Sequence, residues 1–178
     1  MTQEPASELE RLVRIRHLPA EPVVIEADAQ ERERLAARFG ILGVQTLTAH
    51  VALHPDGAGV RASGQLDAVI EQECAVSGEP FTTGLAEAID LVFVPDTGAA
   101  PVSSEEEIEL DADALDEITF TGDSFDLGEA VAQTLGLAID PYAEGPDADA
   151  ARARAGIMPD DAPSGPLAAA LARLKLER

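Results

Sequence analysis

Cys74 is the only cysteine in a chain of 178 residues, and it is followed by Ser77, Gly78 and the pair Pro80-Phe81. A cysteine acts as nucleophile or metal ligand through its thiolate, which a neighbouring His or cation normally stabilises. Its neighbours in sequence are instead Glu71, Glu73 and Glu79, whose charge is expected to raise the thiol pKa. A structural zinc site draws four ligands from Cys and His at short spacing. Here the partners on offer are His17, His50 and His54, and the His50/His54 pair falls in a stretch that reads as strand and turn rather than helix. Cys74 is therefore expected to be a small buried residue, a weak metal candidate with no cofactor attached. A metal- or small-ligand-binding module centred on its turn is the alternative.

The second concentration of reactive groups is the acidic run Glu105, Glu106, Glu107, Glu109 and Asp111. It lacks the ordered Asp-x-Asp-x-Asp-Gly pattern of a calcium loop, so it is either a solvated face or a surface for a basic protein. Gly57, Gly59 and Gly64 form no phosphate-binding series, and no Gly-x-Ser-x-Gly elbow occurs. Nothing in these patterns supports an active site, and the expected protein is not an enzyme.

Charge narrows the partners. The formal net charge is −22, and between Phe39 and Asp140 twenty Asp and Glu face Arg61 as the single basic residue. Proteins that grip nucleic acid use clustered Lys and Arg to neutralise phosphates. Aromatic residues that could stack bases are also scarce, with no Trp, one Tyr and five Phe. Little direct nucleic-acid binding is expected, whereas an anionic field attracts cationic proteins over roughly 8 Å at physiological salt. No run approaches the roughly 20 apolar residues that span a bilayer, and the start Met1-Thr2-Gln3-Glu4-Pro5 has no signal-peptide pattern. No membrane association and a cytoplasmic location are the expectations, and a single cysteine fits a reducing compartment.

The elements that must carry these residues follow from periodicity. Leu12 to Pro19 alternates as a first strand, which Val23 to Glu26 can extend. Asp28 and Glu31 have capping-box spacing for a helix to about Phe39, with Gly40 as its exit. Val44–Leu53, Val60–Glu73 and Thr82–Val94 read as three long strands of an antiparallel meander. Residues 105–120 read as short edge strands or an acidic loop. Asp126 caps a helix from Leu127 to about Ala138, ended by Asp140-Pro141. Residues 143–166 have the composition of a flexible tail, and helical spacing resumes from Pro166 to Lys175. The expected core comprises Leu47, Val51, Leu66, Ile70, Leu85, Ile89, Leu91, Phe93, Leu127, Val131 and Leu135.

The turn Cys74-Ala75-Val76-Ser77-Gly78-Glu79-Pro80-Phe81, together with Asp126-Leu127-Gly128-Glu129 and the exit Asp140-Pro141-Tyr142, resembles the YceD family, the large ribosomal RNA subunit accumulation proteins of bacteria and plastids. Many members carry Cys-x-x-Cys-x-x-Pro at this turn; Ser77 stands at the second cysteine position here, which weakens any metal claim. Residues 27–40 are similar to the N-terminal helix of alphaproteobacterial members. The resemblance implies a role in ribosome assembly. Combined with the charge, it implies a non-enzymatic factor that binds a basic ribosomal protein or an assembly intermediate.

The expected fold is thus α+β: a curved antiparallel sheet packed by two main helices in residues 1–142, followed by a tail with a short C-terminal helix in residues 143–178. Partner contact falls to Glu105, Glu106, Glu107, Glu109 and Asp111. The signature positions are Cys74, Gly78, Pro80 and Phe81 in the turn, and Asp126, Leu127, Gly128, Glu129, Asp140 and Pro141 in the helix.

Overall fold

A computed structural model describes residues 7–96 and 116–157. The elements in chain order are β1 (Leu12–Arg14), β2 (Val23–Glu26), α1 (Ala29–Phe39), β3 (Gly43–Asp56), β4 (Gly59–Glu73), β5 (Pro80–Pro95), β6 (Asp116–Phe120), β7 (Ser124–Asp126), α2 (Leu127–Ala138) and α3 (Ala148–Ala155). The fold is α+β. A five-stranded sheet runs in the order β2-β3-β4-β5-β6, and β1 pairs with β7 in a separate two-stranded ribbon.

Alternation makes the long strands. In β4, Leu66, Ala68 and Ile70 are buried while Gln65 and Asp67 are exposed, so one pleated face meets the helices and the other meets solvent. The register is continuous from Val60↔Phe93 to Glu73↔Pro80 between β4 and β5. Between β3 and β4 it shifts once, at Val44/Thr46, a bulge of the kind that bends a strand.

Two expectations about the edges need correction. The strand expected over Leu12–Pro19 is only three residues long and pairs with β7 instead of extending β2, because β7 offers only three partners before α2 begins. At the far edge β6 runs parallel to β5, from Leu91↔Asp116 to Pro95↔Phe120, so the sheet is mixed there rather than antiparallel throughout. The expected acidic segment 105–115 and the C-terminal helix at 166–175 lie outside the described residues.

Residues 143–157, read from composition as the start of a tail, contact the body. The amide of Ala75 donates to the carbonyl of Ala143 at 3.0 Å, Gly145 lies against the Phe81 ring, and α3 buries Ala148. Small residues suffice for this docking because backbone, not side-chain bulk, makes the contact.

The helices pack on the face that carries Leu47, Val51, Leu66, Ile70, Ile89, Leu91 and Phe93, and contribute Leu35, Leu127, Val131 and Leu135 to the same core. Leu85 is only half-buried at its margin. Phe125 of β7 stacks on Phe93 of β5 with ring centroids 4.0 Å apart, which ties the ribbon to the sheet.

The start of α2 is fixed by the segment before β1. Asp126 Oδ1 accepts from the amides of Gly128 at 2.9 Å and Glu129 at 3.2 Å, the usual N-cap pattern, and also from the amide of Arg11 at 2.8 Å. The Leu127 amide returns a bond to the Arg11 carbonyl at 3.0 Å, and Leu9 is fully buried beside it. A Cβ on Gly128 would overlap the Leu9 carbonyl oxygen and lie 2.7 Å from its carbon. Around this junction Arg11 makes a bidentate pair with Glu31, at 2.7 and 3.0 Å, and Glu31 also closes the capping box of α1 with Asp28. Arg38 bridges Glu8 at 2.7 Å and Glu129 at 2.7 Å.

Two outcomes follow. Gly128→Ala should destabilise the protein by about 2 kcal/mol or more, since backbone must move to admit the methyl group; chemical unfolding of both proteins measures it, and an unchanged midpoint would contradict the close approach. A chain ending at Tyr142 should melt about 4 °C or more below one ending at Ile157, because the Ala75–Ala143 bond and the cover on Phe81 are lost; equal midpoints would show that residues 143–157 add nothing.

Candidate functional site

Cys74 stands at the end of β4 where the chain turns into β5. Its amide donates to the Glu79 carbonyl at 2.9 Å, and its carbonyl accepts from the Gly78 amide at 2.8 Å. Gly78 has φ 71°, a left-handed conformation that costs least at glycine. Pro80 then opens β5, where it is exposed and the strand starts without its amide, and Phe81 receives Gly145. The turn is thus a backbone device that also docks the exit of α2. That exit is built by Asp140, whose carboxylate accepts from the Tyr142 amide at 2.8 Å and whose carbonyl accepts from Ala143 at 3.2 Å. The two signature regions, more than sixty residues apart in sequence, therefore meet at the Ala75–Ala143 bond.

The thiol itself is buried, with 3% of its surface exposed, but its electrostatics reverse the sequence expectation. Hydrogen bonding from the Ser77 hydroxyl, then from the Ser77 amide, with further help from the amides of Gly145 and Val76, lowers its pKa to about 7 against the opposing effect of burial. The Ser77 amide lies 3.4 Å from Sγ. The Glu residues nearby in sequence do not set the value; hydrogen-bond donors do, the Ser77 hydroxyl first and backbone amides after it.

The histidines do not join it. His50 pairs with Gln65 and His54 with Arg61 across β3 and β4, about 30 and 43 Å along β4 from Cys74 at roughly 3.3 Å per residue. Among the described residues no group of three or more His, Cys, Asp or Glu is placed to hold a metal ion. A cleft of about 860 Å³ beside β6 and β7 is lined by Arg38, Glu8, Asp126 and Glu129, and those charges are already bonded to one another or to backbone amides. The Ser7 hydroxyl also lines it and donates to Glu129 Oε2 at 3.3 Å, on a carboxylate that Arg38 already holds.

The broader surface is anionic. The sheet face away from the helices presents Glu26, Asp67, Glu73 and Glu117, all exposed; cross-strand register puts Glu26, Thr48 and Asp67 in one row. Arg61, the sole cation from Phe39 to Asp140, is held by Asp90 through two bonds of 3.0 and 2.9 Å. The sequence reading missed this pairing: Arg61 stands opposite Val92, so Asp90 lies two residues along β5 on the same face, a diagonal neighbour. The expected contact residues Glu105, Glu106, Glu107, Glu109 and Asp111 lie outside the described residues.

Comparison with known families returns a match over residues 62–164 to the family described as large ribosomal RNA subunit accumulation protein YceD. The chain belongs to the YceD family. The matched stretch starts in β4 and takes in the Cys74 turn, β5, α2 and α3, while α1 lies before it. No curated protein and no solved structure matches the chain. No helix among the described residues is long and apolar enough to cross a membrane.

The thiol makes a direct test. Thiolate absorbance of the folded protein should titrate with a midpoint near pH 7, as its depressed pKa requires, and Ser77→Ala should move the midpoint upward. Because the folded pKa is lowered, the thiolate stabilises the fold fully above about pH 9 and the contribution is lost as pH falls through about 7. A midpoint near the free-thiol value in both proteins would remove the Ser77 hydroxyl and its neighbouring amides from the account.

Proposed function

We propose that this chain supports the accumulation of large-subunit rRNA as a non-enzymatic factor, by presenting an acidic face to a basic ribosomal protein or an assembly intermediate. The observation that carries the reading is the state of Arg61. The only cation among twenty acidic residues between Phe39 and Asp140 is occupied by Asp90, so nothing basic in that stretch offsets the carboxylates of Asp67, Glu73 and Glu117. Phosphate would be repelled from such a face, and a Lys- or Arg-rich protein would be drawn to it. The membership in the family described by rRNA accumulation makes ribosomal proteins the natural cationic class.

Electrostatic capture sets the behaviour. Exposed charges of one sign add little to fold stability and oppose it slightly, so their removal should separate binding from folding. Asp67→Asn, Glu73→Gln and Glu117→Gln together should reduce recovery of proteins released from large ribosomal subunits by about tenfold at low salt, with the melting temperature unchanged or slightly raised. A parallel variant with Glu105, Glu106, Glu107 and Glu109 replaced by Gln asks the same of the acidic run. Recovery by the wild type should itself fall as salt rises. Equal, salt-insensitive recovery by all three proteins would remove electrostatic capture.

A further inference from the structure

The end of α2 and the edge of β5 form a groove of about 370 Å³ that the acidic-face reading does not use. Leu137 lines it and is 87% exposed, the most exposed of the large apolar side chains among the described residues. Glu87 and Asp116 flank it on the helix-covered side of the sheet, as their register with Leu66 and Leu91 requires. Neither carboxylate has a cationic partner among the described residues. Alongside, β5 pairs with β6 only from Leu91 onward, so its edge from Pro80 to Asp90 carries no further strand among the described residues.

We propose that the segment Pro166–Arg178 of the same chain docks in this groove. Its sequence spaces Leu167, Leu171 and Leu174 at i, i+4 and i+7, one stripe of a helix, which would cover Leu137. It also concentrates cations: Arg173, Lys175 and Arg178 against Glu177 alone, complementary to Glu87 and Asp116. The chain reaches. Gly145 lies against Phe81, about 20 Å along β5 from Glu87 at roughly 3.4 Å per residue. The eight residues 158–165 extend up to about 27 Å, and the segment adds about 20 Å as a helix. That exceeds the path even if α3 points away by its own length of about 12 Å. An intramolecular ligand also has the concentration advantage over a second copy or a free partner.

The proposal does not depend on what the outer face binds. Amide spectra of the full chain and of Leu171→Asp test it, since the core of the described residues is complete without residue 171. Docking predicts shifts at Glu87, Asp116, Leu137 and Ala138 in the variant, and the same wild-type spectrum after tenfold dilution. Reciprocally, Leu137→Asp should shift the resonances of residues 167–175. Changes confined to the segment itself would overturn the proposal, as would wild-type shifts at the groove that vanish on dilution, which would assign it to a second copy.

Discussion

The fold depends on a place where there is no room for a side chain. Gly128 lets the backbone at Leu9 and Arg11 lie directly on the first turn of α2, and Asp126 then serves both its own helix and the Arg11 amide with one carboxylate oxygen. Every other connection in that region follows from this approach. Leu9 enters the core, Arg11 is brought within bidentate reach of Glu31, and Arg38 can span Glu8 and Glu129. Arg11 and Arg38 hold Glu31 and Glu129 below the usual carboxylate range. Their contribution to stability is therefore present above that range and lost as pH falls through the folded values.

The same arithmetic of charge separates a neutralised end from an anionic one. Near α1 and the start of α2, Arg11 and Arg38 are spent on internal ion pairs, and Arg32 and Arg34 on backbone carbonyls. On the long strands only Arg61 is available, and Asp90 holds it. Residues 39–140, with their one cation held in this way, offer RNA no basic stripe, and the proposed capture of a basic protein rests on that charge.

Much of this was legible before any coordinates. Alternation places β3, β4 and β5, the Asp28/Glu31 spacing places the capping box, and the expected core residues are buried except for the half-buried Leu85. What was not legible depends on partners distant in sequence. The parallel course of β6 is fixed by where the chain re-enters the sheet, and a five-residue strand carries no mark of direction. The role of residues 7–11 is a backbone fit, invisible to periodicity. Ala143, Gly145 and Ala148 pack through being small, which composition reads as a tail. The sequence around Cys74 shows Glu neighbours that would raise its pKa, whereas Ser77 and the amide of Gly145, seventy-one positions away, lower it.

The central claim is that surface charge, with no catalysis, links this fold to large-subunit rRNA. The most direct measurement is the ratio of large- to small-subunit rRNA in cells whose only copy of the protein carries neutral residues at Asp67, Glu73, Glu117 and Glu105 to Glu109, compared with wild-type and deletion strains. The account predicts a folded, normally abundant protein and a ratio close to that of the deletion strain. A wild-type ratio supported by the neutralised protein would contradict it.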